Sequence, residues 1–226
     1  TLPDTVTELT NYANQKCNGQ DAVTLQTAFA LSCNTAFVEM SEQLGADELR
    51  KYAKAFGVGE NYDLGVSTSA GTLGDLPDGA ATAQSAIGQR DVTMTALQAA
   101  VMAGTVANKG TRMQPYLVNR ITDAQMKDVR TTKPKKADQA VNEETAATLT
   151  DLMYASERSS WGYDGNGFAS KTGTAEHGEG LAPHVWYVAF DPERDIAVGV
   201  VVKNGGNLGE SATGGKVSGP IGRAIL

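Results

Sequence analysis

Four consecutive residues, Lys171-Thr172-Gly173-Thr174, put a cation, a glycine and two hydroxyls in a row. Lys171 can hold a carboxylate or stabilise developing negative charge, and the hydroxyls can bond the same anion. Gly173 lets another backbone approach closely, as an added substrate strand would need. On its own a Lys-[Ser/Thr]-Gly match arises by chance in roughly one chain in ten of this length. Its plain reading is a strand end with a solvated lysine. A second triplet, Ser32-Cys33-Asn34, offers a hydroxyl and an amide one residue apart. Ser-x-Asn is weaker still, at about one in two chains, and Asn34 is also a good helix cap. Neither match persuades singly; together, in this order and with suitable structural contexts, they carry weight.

Those contexts come from the pattern around them. A short helix with a Thr24 cap runs to Ala30, and a second runs from Asn34 to Leu44, stopped by Gly45, so Ser32 falls at their join. The second helix is read with Phe37, Met40 and Leu44 on one face. Ala46 to Phe56 is a third helix, amphipathic through Leu49, Ala53 and Phe56. From Val58 to Arg90 the chain is rich in Gly, Ser, Thr, Asp and Pro, and reads as a long functional surface loop. Thr95 caps an alanine-rich helix ending at Lys109-Gly110, and Asn142 caps another over Glu143 to Glu157, with Leu149, Leu152 and Met153 inward. The period then changes to that of strands, over Phe168 to Thr174, Val185 to Phe190 and Ile196 to Lys203. Asp191-Pro192-Glu193-Arg194 makes the turn between the last two, and a final helix is started by Ser218 and Pro220. Lys171 to Thr174 thus lies on a strand. Helices followed by an antiparallel meander predict a mixed α/β fold with an antiparallel sheet packed against helices, in one domain over residues 1–226.

Composition narrows the chemistry. The 226 residues carry 19 Lys plus Arg against 26 Asp plus Glu, a formal net charge of −7, which disfavours a protein that tracks nucleic-acid phosphates. The longest aliphatic run, Ile196 to Val202, is too short to cross a bilayer. Two cysteines, Cys17 and Cys33, could form one bridge or be two buried thiols, and count alone does not decide. With only His177 and His184 beside them, no zinc site is expected.

Ser-x-Asn followed by Lys-Thr-Gly gives two of the three motifs of penicillin-binding proteins and class A β-lactamases. The flanking sequence is more specific. Leu31-Ser-Cys-Asn-Thr-Ala-Phe37, Ala53-Lys-Ala-Phe-Gly57, Ser85-Ala-Ile-Gly-Gln89 and Val92-Thr-Met-Thr-Ala-Leu-Gln98 resemble the transpeptidase domain of class B (monofunctional) penicillin-binding proteins. So do Ala107-Asn-Lys-Gly110, Pro115-Tyr-Leu-Val118 and Lys171-Thr-Gly-Thr-Ala-Glu176 with Trp186 to Pro192. The resemblance covers nearly the whole chain and is greatest to the actinobacterial penicillin-binding protein A group, where a cysteine also fills the middle of Ser-x-Asn. Arg90 departs from the family, many of whose members carry Gly after Gly-Gln, and no role is carried onto it. The third motif is missing: no lysine here has a serine three residues before it. In the family that serine is the nucleophile and that lysine its base. The expectation is that both lie upstream, and that this chain is the C-terminal portion of the domain, inactive alone.

The resemblance implies a peptidoglycan D,D-transpeptidase that cross-links stem peptides through a serine acyl-enzyme and is acylated by β-lactams. Its partners would be the D-Ala-D-Ala stem peptide, β-lactam antibiotics, and division or cell-wall synthesis proteins; no cofactor is implied. Carried onto this sequence, Ser32 relays a proton to the leaving nitrogen, Asn34 holds the substrate amide, and Lys171 supplies positive charge beside Ser32. Thr172 and Thr174 bond the substrate carboxylate, Gly173 admits the substrate backbone, and the Thr174 N–H is half of an oxyanion hole. Location on the outer face of the membrane, with an N-terminal anchor outside this chain, makes a Cys17–Cys33 disulfide permissible, and that bridge would pin Ser32 and Asn34. A serine β-lactamase or β-lactam sensor domain shares the motif set, and a silent cell-wall-binding module is the rival from another class. His177 and His184 flank the Gly178–Ala182 loop, within reach of a substrate, and read first as loop-surface residues; Glu176 reads as structural or solvated. At least one of Trp186 and Tyr187 belongs to the core. Arg130, Lys133, Lys135 and Lys136 read as a solvated basic loop.

Overall fold

Helices begin where a side-chain oxygen can satisfy the free amides of a first turn. In the computed structural model, which describes every residue except 1, 4, 7, 12, 13 and 179, Thr24 accepts from the Thr27 amide and starts α1 (Leu25–Ala30). After a short reversal α2 (Asn34–Leu44) runs to Gly45, whose φ of 78° needs a residue without Cβ, and α3 (Ala46–Ala55) follows. The face of α2 differs from the expected one. Met40 and Leu44 are exposed, while Val38 and Ser41 are buried. The reason is a fourth helix, α4 (Gly79–Ala86), capped by Asp78, which packs with Leu2 onto Val38. That helix interrupts the expected Val58–Arg90 loop. Its buried face is made of Ala81, Thr82, Ala83 and Ser85, so it carries no large apolar residue to mark a helical period. The rest of that stretch is tied down by Gln98, whose side-chain amide donates to the carbonyls of Gly57 and Ala70.

Thr95 and Gln98 form a capping box at the start of α5 (Ala96–Ala107). Four short strands follow that the sequence pattern did not suggest: β1 (Thr111–Met113), β2 (Arg120–Thr122), β3 (Asp128–Thr131) and β4 (Lys136–Gln139). They pair antiparallel as β1 with β4 and β2 with β3. The basic residues are accordingly not all in a loop. Arg130 lies on β3 and Lys136 on β4, both exposed, as a solvated face should be.

Asn142 caps α6 (Glu143–Ser159), which buries Leu152 and Met153. The main sheet comes last, as a meander of β5 (Ala169–Ala175), β6 (His184–Asp191) and β7 (Ile196–Val202) with β5 at one edge. The expected turn between β6 and β7 is present, with Asp191 accepting from the Glu193 amide at 2.8 Å. Register fixes the faces, because Lys171 pairs with Val188 and Thr172 with Tyr187. On the Lys171 face Ala169 and Phe190 pack with Ala103, Val106 and Met153 of α5 and α6. On the other face Tyr187, Ala189 and Val198 pack with Leu226, beside α7 (Gly214–Ile225). The result is an antiparallel sheet between helical layers, the mixed α/β arrangement expected. α7 starts earlier than expected and holds Pro220 inside it; its glycines hide the helix in the sequence but let it lie on the sheet. A Cβ on Gly222 would come within 2.6 Å of the Tyr187 ring.

Candidate active site

Ser32 lies in the reversal between α1 and α2, with its backbone in the left-handed region at φ 56°. Serine seldom adopts that conformation, which is found where the surroundings over-determine it. Here the neighbours are fixed on both sides. The Ser32 amide donates to Phe29 O at 3.2 Å and the Cys33 amide to Ala28 O at 2.9 Å. Cys33 is disulfide-bonded to Cys17, with Cα atoms 5.6 Å apart, so the bridge sits directly beside Ser32. Around it Ala28, Val23, Ala36 and Phe37 form a small apolar cluster. Ser32 itself is exposed.

Lys171 reaches this reversal from the sheet. Its Nζ donates to Ser32 Oγ across 139 residues of sequence and to Thr172 O at 2.8 Å. The Phe29 ring lies 5.8 Å from the same nitrogen, close enough for a cation–π contact. Burial of the ammonium pushes its pKa down from 10.5 to about 8. The sequence pattern gave no role to Phe29; its position three residues before Ser32, on the last turn of α1, was the available signal.

The other site residues share the two segments. Asn34 opens α2 and its Nδ2 donates to Thr10 O at 3.2 Å, which turns its Oδ1 into the part available to a ligand N–H. Thr172 and Thr174 fall on one face of β5 and Gly173 on the other. The Gly214 amide, at the start of α7, donates to Thr174 Oγ at 3.3 Å, so the Thr174 hydroxyl keeps its own proton to donate. A Cβ on Gly214 would lie 2.7 Å from Gly173 O, which brings the positive end of α7 against this stretch of β5. A Cβ on Gly173 would only touch the Trp186 Cβ, at 3.4 Å. Tyr187 is fully buried and Trp186 half-buried, as the alternation required.

Beyond the end of β5, His177 and His184 stack with ring centroids 4.1 Å apart. His177 lines an open cavity of about 780 Å³ with Leu181, Asn204 and Glu210. The Asn204 amide donates to His184 Nδ1 at 3.1 Å, and desolvation, with the charges of His177 and Lys203, holds His184 below the usual histidine pKa. Within the Gly178–Ala182 loop, residue 179 lies outside the described residues. Among the described residues no cluster of three or more His, Cys, Asp or Glu could hold a metal ion.

The arrangement is a hydroxyl bonded to a partly buried cation, beside an edge strand carrying two more hydroxyls and the N-terminus of a helix. Groups of these types have the chemistry to hold an anionic group and to pass a proton at Ser32 Oγ. Known proteins resemble the chain over its whole length. The model of the penicillin binding protein transpeptidase domain matches residues 3–226. The chain is 44% identical over 234 aligned positions to the peptidoglycan D,D-transpeptidase PbpA of Mycolicibacterium smegmatis, covering 100% of this chain and 48% of that protein. It is 41% identical to PbpA of Mycobacterium tuberculosis over the same shares. It superposes on penicillin-binding protein A from M. tuberculosis, solved as a ceftriaxone acyl-enzyme complex, with a TM-score of 0.94 and 40% identity, covering 100% of this chain and 52% of that one. The chain therefore spans about half the length of the relatives it matches. It belongs to the penicillin-binding protein transpeptidase family.

Proposed function

We propose that this chain is the C-terminal portion of the transpeptidase domain of a peptidoglycan D,D-transpeptidase. In this reading it supplies the Ser-x-Asn and Lys-Thr-Gly parts of the site, while the nucleophilic serine and its base come from a segment outside these 226 residues. The observation that carries the reading is the hydrogen bond from Lys171 Nζ to Ser32 Oγ, which joins the two motifs. The reaction is acyl transfer. The serine attacks the D-Ala-D-Ala carbonyl of a stem peptide, D-alanine leaves with a proton on its nitrogen, and an amine of a neighbouring strand then takes the acyl group. Because Ser32 Oγ accepts from Lys171, its own hydrogen is free to be passed to the departing nitrogen. Lys171, the hydroxyls of Thr172 and Thr174, and the start of α7 receive the substrate carboxylate. Asn34 Oδ1 accepts from the substrate amide, and the Thr174 N–H bonds the oxyanion; losing one such donor typically costs about 10²–10³ in rate. β-Lactams acylate the same serine.

The enzyme works on the outer face of the membrane, with its anchor outside this chain; no helix among the described residues is long and apolar enough to span a bilayer. Division or other wall-synthesis proteins are its expected partners. The test is the intact mass of the longest natural form before and after a fluorescent penicillin. One stable adduct is expected on that form and none on the 226-residue piece. A labelled piece would place the nucleophile inside it, rapid turnover of the penicillin would make the protein a β-lactamase, and no adduct on the long form would leave a silent wall-binding module.

A further inference from the structure

Directly behind Lys171, on the opposite face of β5, Ser170 is completely buried and donates to a carboxylate of another layer. That carboxylate belongs to Glu157 near the end of α6, a residue only 1% exposed. Its two oxygens take four donors. Oε1 accepts from Arg223 Nε at 2.6 Å and Asn166 Nδ2 at 3.0 Å; Oε2 accepts from Ser170 Oγ and from the Tyr187 hydroxyl at 3.0 Å. The donors come from α7, from the loop after α6, from β5 and from β6, so one side chain ties four segments to α6. Nothing in the sequence pattern marks this node, because its members lie up to 66 residues apart.

We propose that Glu157 is a positioning residue for the acyl-transfer site: through Ser170 it fixes β5 from behind, and so sets where Lys171 meets Ser32. This rests on the function proposed above. Among the described residues β5 is an edge strand, bonded to a neighbour on one side only, and a strand held on one side is more easily displaced than one held on both. Ser170 and Lys171 are adjacent, so their side chains leave the strand in opposite directions. A bond that holds the first also limits the rotation and slide of the second. Glu157 is suited to the task because it stays ionised. Burial alone would raise its pKa, but the hydrogen bonds from Arg223, Ser170 and Asn166 outweigh that and lower it. A carboxylate accepts stronger hydrogen bonds than a neutral amide, and its fixed charge holds Ser170 and Tyr187 as donors in one geometry.

The test uses Ser170→Ala, which removes only the tether, and Ser170→Thr, which keeps a hydroxyl. Two readouts are taken well below the melting temperature. One is the titration of the Lys171 ammonium by NMR in the chain itself; the other is the acylation rate of the longest natural form by a fluorescent penicillin across pH. Ser170→Ala should move the Lys171 midpoint up from about 8 by about one unit as the ammonium becomes better solvated, and slow acylation about tenfold. Its alkaline limb should shift with the midpoint, and Ser170→Thr should restore both. A merely structural bond would lower the melting temperature and leave both pH profiles unchanged, and that result overturns the proposal. If the long form takes no penicillin yet Ser170→Ala still moves the Lys171 midpoint, the acyl-transfer reading fails while the positioning by Glu157 stands.

Discussion

Replacing Cys17 with alanine breaks the Cys17–Cys33 bond while leaving Ser32, Cys33 and Asn34 untouched. Two effects follow, and the structure sizes each. The bond closes a loop between residues 16 apart, and a loop near that length contributes about 3 kcal/mol by restricting the unfolded chain. In a protein of this size 1 kcal/mol moves the melting temperature by about 2–4 °C, so Cys17→Ala should melt about 6–12 °C lower. The second effect is local. Ser32 sits at φ 56°, a conformation that costs a non-glycine residue about 1 kcal/mol. Without the bond beside it, that conformer is held by the backbone hydrogen bonds to Phe29 and Ala28 and by the Lys171 contact to the Ser32 hydroxyl. Releasing about 1 kcal/mol lowers the competent population by about fivefold, and the acylation rate of the longest natural form should fall by the same factor. Melting followed by circular dichroism and acylation by a fluorescent penicillin, each with and without reductant, read the two effects apart. The variant should match the reduced wild type in both. A variant that melts within about 2 °C of wild type and acylates at the wild-type rate would refute the reasoning about the bridge.

Three further outcomes are expected. Lys171 titrates near pH 8 when folded, against 10.5 as a free side chain. Between those values the unfolded chain binds the extra proton, so this group adds stability as pH rises, while acylation, which needs the ammonium, falls above about pH 8; Lys171→Met should abolish the acylation and remove that rise in stability. Glu157 titrates below its ordinary value of 4.5, so its contribution is present at neutral pH and is lost as pH falls through the folded value. Glu157→Gln should cost about 3–5 kcal/mol at pH 7 in chemical denaturation, by leaving Arg223 buried without its partner, and should flatten the acid side of the stability curve. Gly199 on β7 lies against α5, where a Cβ would come 2.7 Å from the Ala100 nitrogen; because backbone cannot step aside cheaply, Gly199→Ala should destabilise by about 1–3 kcal/mol, and an unchanged melting temperature would contradict the packing described.

The parts of this fold that were legible in the sequence are those with strong local signals. Thr24, Thr95 and Asn142 each accept from an amide of the first turn they were expected to cap. The three strands of the sheet fall within one residue of their expected bounds, because alternating or continuous apolar runs between turn residues have few other uses. What was illegible lacked such signals. α4 is built from four alanines with single Gly, Thr, Gln and Ser residues, and β1 to β4 are three or four residues long with mostly exposed side chains. The face of α2 was misjudged because Met40 and Leu44 are its larger apolar residues, whereas α4 leaves room only for Val38 and Ser41. Within the site, residue types identified Ser32 and Lys171, but no local pattern could show that they touch. Glu157 was assigned to a helix and given no role, since a glutamate on α6 acquires one only when β5, β6 and α7 arrive around it.

Two devices of different kind thus meet at one hydrogen bond. Ser32 is held by local means, a helix end, a helix start and a disulfide closing a short loop. Lys171 is held by the completed sheet and by the layers on both of its faces. The burial that this requires changes the lysine itself. An ammonium in water, with a pKa of 10.5, is a fixed charge at neutral pH and a poor proton donor to a hydroxyl. Lowered to about 8, it still carries its charge at pH 7 but lies close enough to neutrality to exchange its proton with Ser32 during a reaction, the match on which general acid–base catalysis depends. The same desolvation strengthens its attraction for a bound carboxylate, because less water screens the pair. In the proposed function, packing Lys171 between Phe29 and Ser32 would serve recognition and proton transfer at once, and a lysine left solvated at the end of the same strand would do neither well.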